Sequence, residues 1–155
     1  MLTHWCSPGR VAALWMALLL AACNPVDYTT LAGEEGRFAD WQGRWTLINY
    51  WAEWCRPCLE EIPELNELAR QWQGQVAVYG VNFDGGSAED QRAQGERLGI
   101  GFAVLQDDPA AALGWPRPEV LPTTVVLDPD GQVHAILHGP QTRHQLEQVL
   151  GLSAP

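Results

Sequence analysis

The residues best equipped for chemistry are two cysteines in the run Trp54-Cys55-Arg56-Pro57-Cys58. A thiolate is the nucleophile of disulfide exchange, and two thiols one helical turn apart can close on each other. Just before them, residues 45–51 (Trp-Thr-Leu-Ile-Asn-Tyr-Trp) are β-branched and aromatic and read as a buried strand. After them, Leu59, Ile62, Leu65, Leu68, Ala69 and Trp72 recur at three- and four-residue steps, the period of a helix. Cys55 then falls at a helix N-terminus, where unpaired N–H groups carry about half a positive charge and favour a thiolate. A thiol with a pKa of about 8.5 is only a few per cent ionised at pH 7; brought down to about 7, half of it is nucleophilic. Cys55 is therefore the expected attacking sulfur, and Cys58, further into the helix, the resolving one. Pro57 has no N–H to lose in a first turn, and Arg56 adds positive charge beside the thiolate.

Two other uses of the pair compete with this reading. Cys-X-X-Cys can be half of a zinc site, but a closed structural site takes four ligands. No second such pair follows, and His134 and His138 lie far downstream on a predicted strand. The pair could also be two idle reduced thiols. No metal and no separate cofactor is expected; the redox group would be the Cys55–Cys58 disulfide itself.

The other two cysteines sit near the start of the chain, Cys6 and Cys23. Arg10 precedes residues 11–22, which are apolar throughout and end in Leu20-Ala21-Ala22 before Cys23. That run is short for a membrane span, which needs about 20 apolar residues, and suits the core of an export signal. The small residues followed by cysteine resemble the bacterial lipobox. The resemblance implies cleavage after residue 22 and lipidation of Cys23, anchoring the protein to the inner or outer membrane. An ordinary cleaved signal or an uncleaved anchor is the alternative. Exported proteins reside where disulfides form, and the mature chain would keep Cys55 and Cys58 alone as free thiols.

The organisation expected is a lipoprotein signal over 1–22, a tether over 23–37 and one domain over 38–155. Hydrophobic residues make up 46% of the chain, enough for a packed core. The net charge is -10 and every basic residue is arginine, with no basic stripe to neutralise phosphates, which argues against nucleic acid as a partner. Residues 76–83 read as a second strand and 87–98 as a helix capped by Ser87. Residues 102–105 could form a short strand and 109–113 a helical turn. Residues 123–128 and 132–138 read as a hairpin joined by Pro129-Asp130-Gly131, and 142–150 as a closing helix. Pro63 is expected to kink the helix after the cysteines. Strand–helix alternation followed by an antiparallel hairpin predicts an α/β fold with a central mixed sheet flanked by helices.

Asn49-Tyr-Trp-Ala-Glu-Trp-Cys-Arg-Pro-Cys58 resembles the active-site stretch of thioredoxins, and Pro63 sits where they kink the active-site helix. Leu121-Pro122-Thr123-Thr124 resembles the loop that carries their cis-proline. The resemblance implies a thioredoxin fold in which the backbone at Leu121, before Pro122, pairs with the substrate polypeptide beside the nucleophile. The lipobox, the Trp-Cys-X-Pro-Cys-X-X-Glu-Ile-Pro run and an insert around 84–118 that includes Trp115-Pro-Arg-Pro118 are similar to exported TlpA/ResA-type reductases. One departure matters. Thioredoxins place a buried aspartate where this chain has Asn49, which cannot titrate; Glu53 or Asp84 could carry the proton instead.

By that resemblance the protein is expected to be a monomeric thiol:disulfide oxidoreductase. It would reduce disulfides in periplasmic proteins, apocytochrome c among them, with electrons from a membrane thiol transporter. A periplasmic disulfide oxidant, a thiol peroxidase and a copper-binding chaperone are the alternatives. The first usually carries an inserted helical domain, the second a different cysteine motif, and the third a Cys-X-X-X-Cys spacing.

Overall fold

The structure, a computed structural model, describes residues 25–153. The signal expected over 1–22 and its Cys23 lie outside the described residues. A sheet of order β5-β4-β3-β6-β7 forms the centre. Its middle strand β3 (Trp45–Trp51) is buried along nearly its whole length, which is why the sequence there carries apolar residues on both faces. β4 (Val76–Asn82) runs parallel to β3, with Leu47 opposite Val78 and Asn49 opposite Gly80. β5 (Ala103–Leu105) lies parallel outside β4. On the other side β6 (Thr123–Leu127) is antiparallel to β3, and β7 (Val133–His138) is antiparallel to β6 and forms that margin. The hairpin turns at Gly131, whose φ of 78° suits glycine, while Asp128 Oδ1 accepts the N–H groups of Asp130 and Gln132. This is a thioredoxin fold.

Two helices cover one face: α1 (Arg56–Gln71) and the last helix α4 (Arg143–Val149). Their Leu65, Leu68 and Leu146 are fully buried against Leu47, Val78 and Val126. Thr142 and Gln145 form a reciprocal capping box that starts α4. Pro63 lies inside α1, which continues through it. The carbonyl it leaves without a donor is that of Leu59, a residue that is 44% exposed. Leu59, expected on the packed stripe, therefore faces solvent, and Glu61 is buried instead. α2 (Ala88–Leu98) is capped by the Ser87 hydroxyl, which accepts the Asp90 N–H.

The opposite face is covered by aromatic residues. A 3-10 turn (Phe38–Trp41) brings Trp41 onto Tyr79, stacked at 4.8 Å, with Tyr28 and Phe38 beside them. The segment expected as a tether, 23–37, is for the most part built into the fold. β1 (Tyr28–Thr29) pairs with β2 (Glu35–Gly36), and the chain after β1 stitches onto β5. Leu31 N–H donates to Val104 O, and Gln106 N–H donates to Thr29 O. A side chain at Gly36 would meet the Tyr28 ring at 2.4 Å, so the hairpin closes only over glycine. The insert is equally integrated. It supplies α2, β5, a short helix α3 (Ala110–Leu113) and Trp115, whose ring is buried and whose Nε1–H donates to Tyr50 Oη at 2.9 Å.

Candidate active site

Strand β3 delivers the chain to the end of the sheet, and a short turn reverses it into α1 with Cys55 as the N-cap. The Cys58 N–H points at Cys55 Sγ, 3.3 Å away. An N-cap side chain accepts from the first free N–H groups of a helix, and a thiolate there would meet the positive end of the dipole. Pro57 occupies the first turn, where no N–H is needed. The sulfurs are joined as a disulfide with Cα atoms 5.3 Å apart. Both cysteines are nearly covered, Cys55 at 3% exposure and Cys58 at 1%. Trp51, Ala52, Leu31 and Val104 surround them, with Phe83 and Leu121 packed alongside.

The Leu121–Pro122 peptide is cis, and Leu121 lies against the cysteine cluster. The Thr123 hydroxyl donates to Val120 O at 2.9 Å, and it accepts from His138 Nδ1 at the same distance. These bonds hold the loop from both ends. Trp54 is 67% exposed next to the disulfide, with its indole N–H donated to Asp84 Oδ2 at 2.7 Å. Arg56 is exposed at the start of α1. His134 packs edge-on against the Trp45 ring rather than pairing with His138. Among the described residues no group of three or more His, Cys, Asp or Glu side chains is placed to hold a metal ion.

Neither acid expected as a proton relay lies in the interior. Glu53 pairs with Arg97 at the surface, 2.7 Å apart, and Asp84 is exposed and engaged with Trp54. The acid buried near the pair is Glu61, one turn along α1 from Cys58 and 1% exposed. Its Oε2 accepts from Asn49 Nδ2 at 2.8 Å, and its Oε1 accepts from Gln141 N–H at 3.2 Å and Thr124 Oγ1 at 3.4 Å. Burial pushes the Glu61 carboxyl up to about 7, against the pull of those three donors. A carboxyl that is half-ionised near neutrality can take up or release a proton. The sequence signal was present: position 61 falls on the buried stripe of α1, between Cys58 and Leu65, where an acid has no solvent to face.

A redox-active pair capping a helix, beside a cis-proline loop on this sheet, defines a thioredoxin-fold thiol:disulfide oxidoreductase. The comparisons with known proteins agree. The chain belongs to the AhpC/TSA family, whose pattern matches residues 21–136. It is 32% identical to the thioredoxin-like protein YneN of Bacillus subtilis, over 79% of this chain and 73% of that protein. It is also 32% identical to the thiol-disulfide oxidoreductase ResA of Geobacillus kaustophilus, over 79% of this chain and 70% of the relative. Among solved structures it is similar to a DsbF homologue from Corynebacterium diphtheriae, with a TM-score of 0.69 and 27% identity. That match covers 82% of this chain and 85% of the other. The protein is an oxidoreductase that exchanges thiols and disulfides with protein substrates.

Proposed function

We propose that the protein works as a reductant of disulfides in exported proteins, with Cys55 as the attacking sulfur. The observation that carries this is Cys55 at the N-cap of α1, with the Cys58 N–H aimed at its sulfur. In the reduced enzyme the Cys55 thiolate attacks one sulfur of a substrate disulfide, forming a mixed disulfide and releasing the other sulfur as a thiolate, which is protonated. The Cys58 thiol then gives its proton to Glu61, one turn along α1, and attacks Cys55 Sγ. The S–S bond to the substrate breaks, the second substrate thiol leaves, and the Cys55–Cys58 disulfide remains. A thiol donor returns two electrons to close the cycle. Trp54 precedes the pair, Arg56 and Pro57 lie between its cysteines, and Leu121 and Pro122 offer backbone to the substrate strand.

The lipobox-like Leu20-Ala21-Ala22-Cys23 supports export and a lipid anchor at Cys23, in the periplasm at the inner or outer membrane. A membrane thiol transporter is then the natural donor, and oxidised periplasmic proteins, apocytochrome c included, the natural substrates. The protein acts as a monomer without nucleic acid, metal or other cofactor. Insulin reduction with dithiothreitol tests the chemistry, and Cys55→Ser is expected to abolish it. The midpoint potential tests the direction. A value near -270 mV fits a reductant, whereas one near -120 mV, as for DsbA, would overturn it.

A further inference from the structure

The Trp115-Pro-Arg-Pro118 run takes no part in the exchange steps, yet Arg117 stands at a junction. Its Nε lies 3.5 Å from Asp108 Oδ2. Its guanidinium carbon sits 4.3 Å from the centre of the Phe83 ring, and a terminal N–H donates to the Phe83 carbonyl. Phe83 packs on the cluster that contains Cys55 and Cys58, and the next residue, Asp84, holds the Trp54 indole. Four residues beyond Arg117, Leu121 packs on the same cluster and begins the cis peptide.

Arg117 is thus bonded to the Phe83 loop while belonging to the segment that leads to Leu121, and both Phe83 and Leu121 pack on the cysteine cluster. The loop after Phe83 contains Gly85 and Gly86 with φ of 67° and 109°, so its own backbone gives little stiffness. Arg117 is flanked by Pro116 and Pro118, which restrict the chain that presents it. Its carboxylate partner is anchored to the sheet: Tyr50 Oη donates to Asp108 Oδ1 at 2.6 Å, and the Ala110 N–H donates to the same oxygen at 3.0 Å. Burial raises the Tyr50 phenol well above its ordinary value, so it stays a donor.

We propose that Arg117 is a positioning residue that sets the spacing between the two walls of the substrate cleft. One wall is Phe83, Asp84 and Trp54; the other is Val120, Leu121 and Pro122. A polypeptide must lay its disulfide between them to reach Cys55, so the width fixed by Arg117 governs how well extended protein substrates bind. The proposal rests on the exchange reading, with Cys55 as nucleophile.

The test is steady-state insulin reduction by Arg117→Met and Arg117→Lys, with thermal melting of each variant. Met keeps the length of the side chain and removes the charge and the N–H donors. Losing a partly exposed cation–π contact together with its carbonyl bond corresponds to about a ten-fold rise in KM, with kcat changed less than about two-fold. Lys keeps the charge facing Asp108 and the Phe83 ring, and is expected to recover part of the loss, to about a three-fold rise. An unchanged KM in either folded variant overturns the proposal, as does a fall in kcat with KM unchanged. If Arg117→Met does not fold, Arg117→Lys alone decides. Activity retained in Cys55→Ser would instead sink the exchange reading itself, so the two failures are distinguishable.

Discussion

Replacing Glu61 by glutamine should change how stability responds to pH, and the size of the change follows from the site. The carboxyl is 1% exposed and raised by burial from an ordinary 4.5 to about 7. Between these values the folded protein binds a proton that the unfolded chain does not, so unfolding free energy falls as pH rises through that window. Below about pH 4.5 both states are protonated and nothing is lost; above about 7 both are ionised and the loss is complete. At about 1.4 kcal/mol per pH unit, the loss is about 3 kcal/mol. Glutamine imitates the protonated acid and cannot ionise. Its amide N–H can be met by Asn49 Oδ1, which is buried without a partner in the present orientation of that side chain. Urea unfolding of the oxidised wild type and Glu61→Gln, from pH 4 to pH 8.5, should therefore diverge. The variant is expected to gain about 3 kcal/mol on the wild type across the window. Other titrating groups, such as the exposed Asp40 and Glu67, are common to both proteins and drop out of the difference. Parallel curves would refute the reasoning.

Three other perturbations separate the roles of particular residues. Cys58→Ser should leave the first attack intact but not the second, so a mixed disulfide between Cys55 and a substrate protein accumulates, visible as a thiol-reversible band on a non-reducing gel. Trp115→Ala empties a buried site beside Tyr50 and should cost about 3–5 kcal/mol in urea unfolding. Thr142→Ala removes one half of the capping box on α4 and should cost about 1 kcal/mol, measured in the same way.

The strands and helices around the cysteines were legible because their signals are local. β3 is apolar on both faces, α1 has a helical period, and Ser87 and Thr142 stand at helix starts. The cis bond at Pro122 was legible only through likeness to thioredoxins, since nothing in the local sequence demands it. The hairpin of β1 and β2 was not legible. Its strands have two residues each, too short for any period, and Gly33 and Gly36 read as breakers. What holds it is non-local: Tyr28 packs on the Trp41 and Tyr79 rings, and the chain after β1 pairs with the backbone of β5. Glu61 was overlooked for the opposite reason. Acids on helices usually face water, and this one is held inside by Asn49, Thr124 and Gln141 from three other parts of the chain.

From Asp27 onward the chain is bonded into the fold, which bears on the reach of any anchor before it. Asp27 N–H is already bonded to Gly36 O, and its carboxylate accepts the Phe38 N–H. The lipid proposed on Cys23 would be joined to Asp27 by three intervening residues, each able to span at most about 3.5 Å. On so short a leash the domain could patrol little more than its own footprint on the bilayer, and its clients would have to come to it.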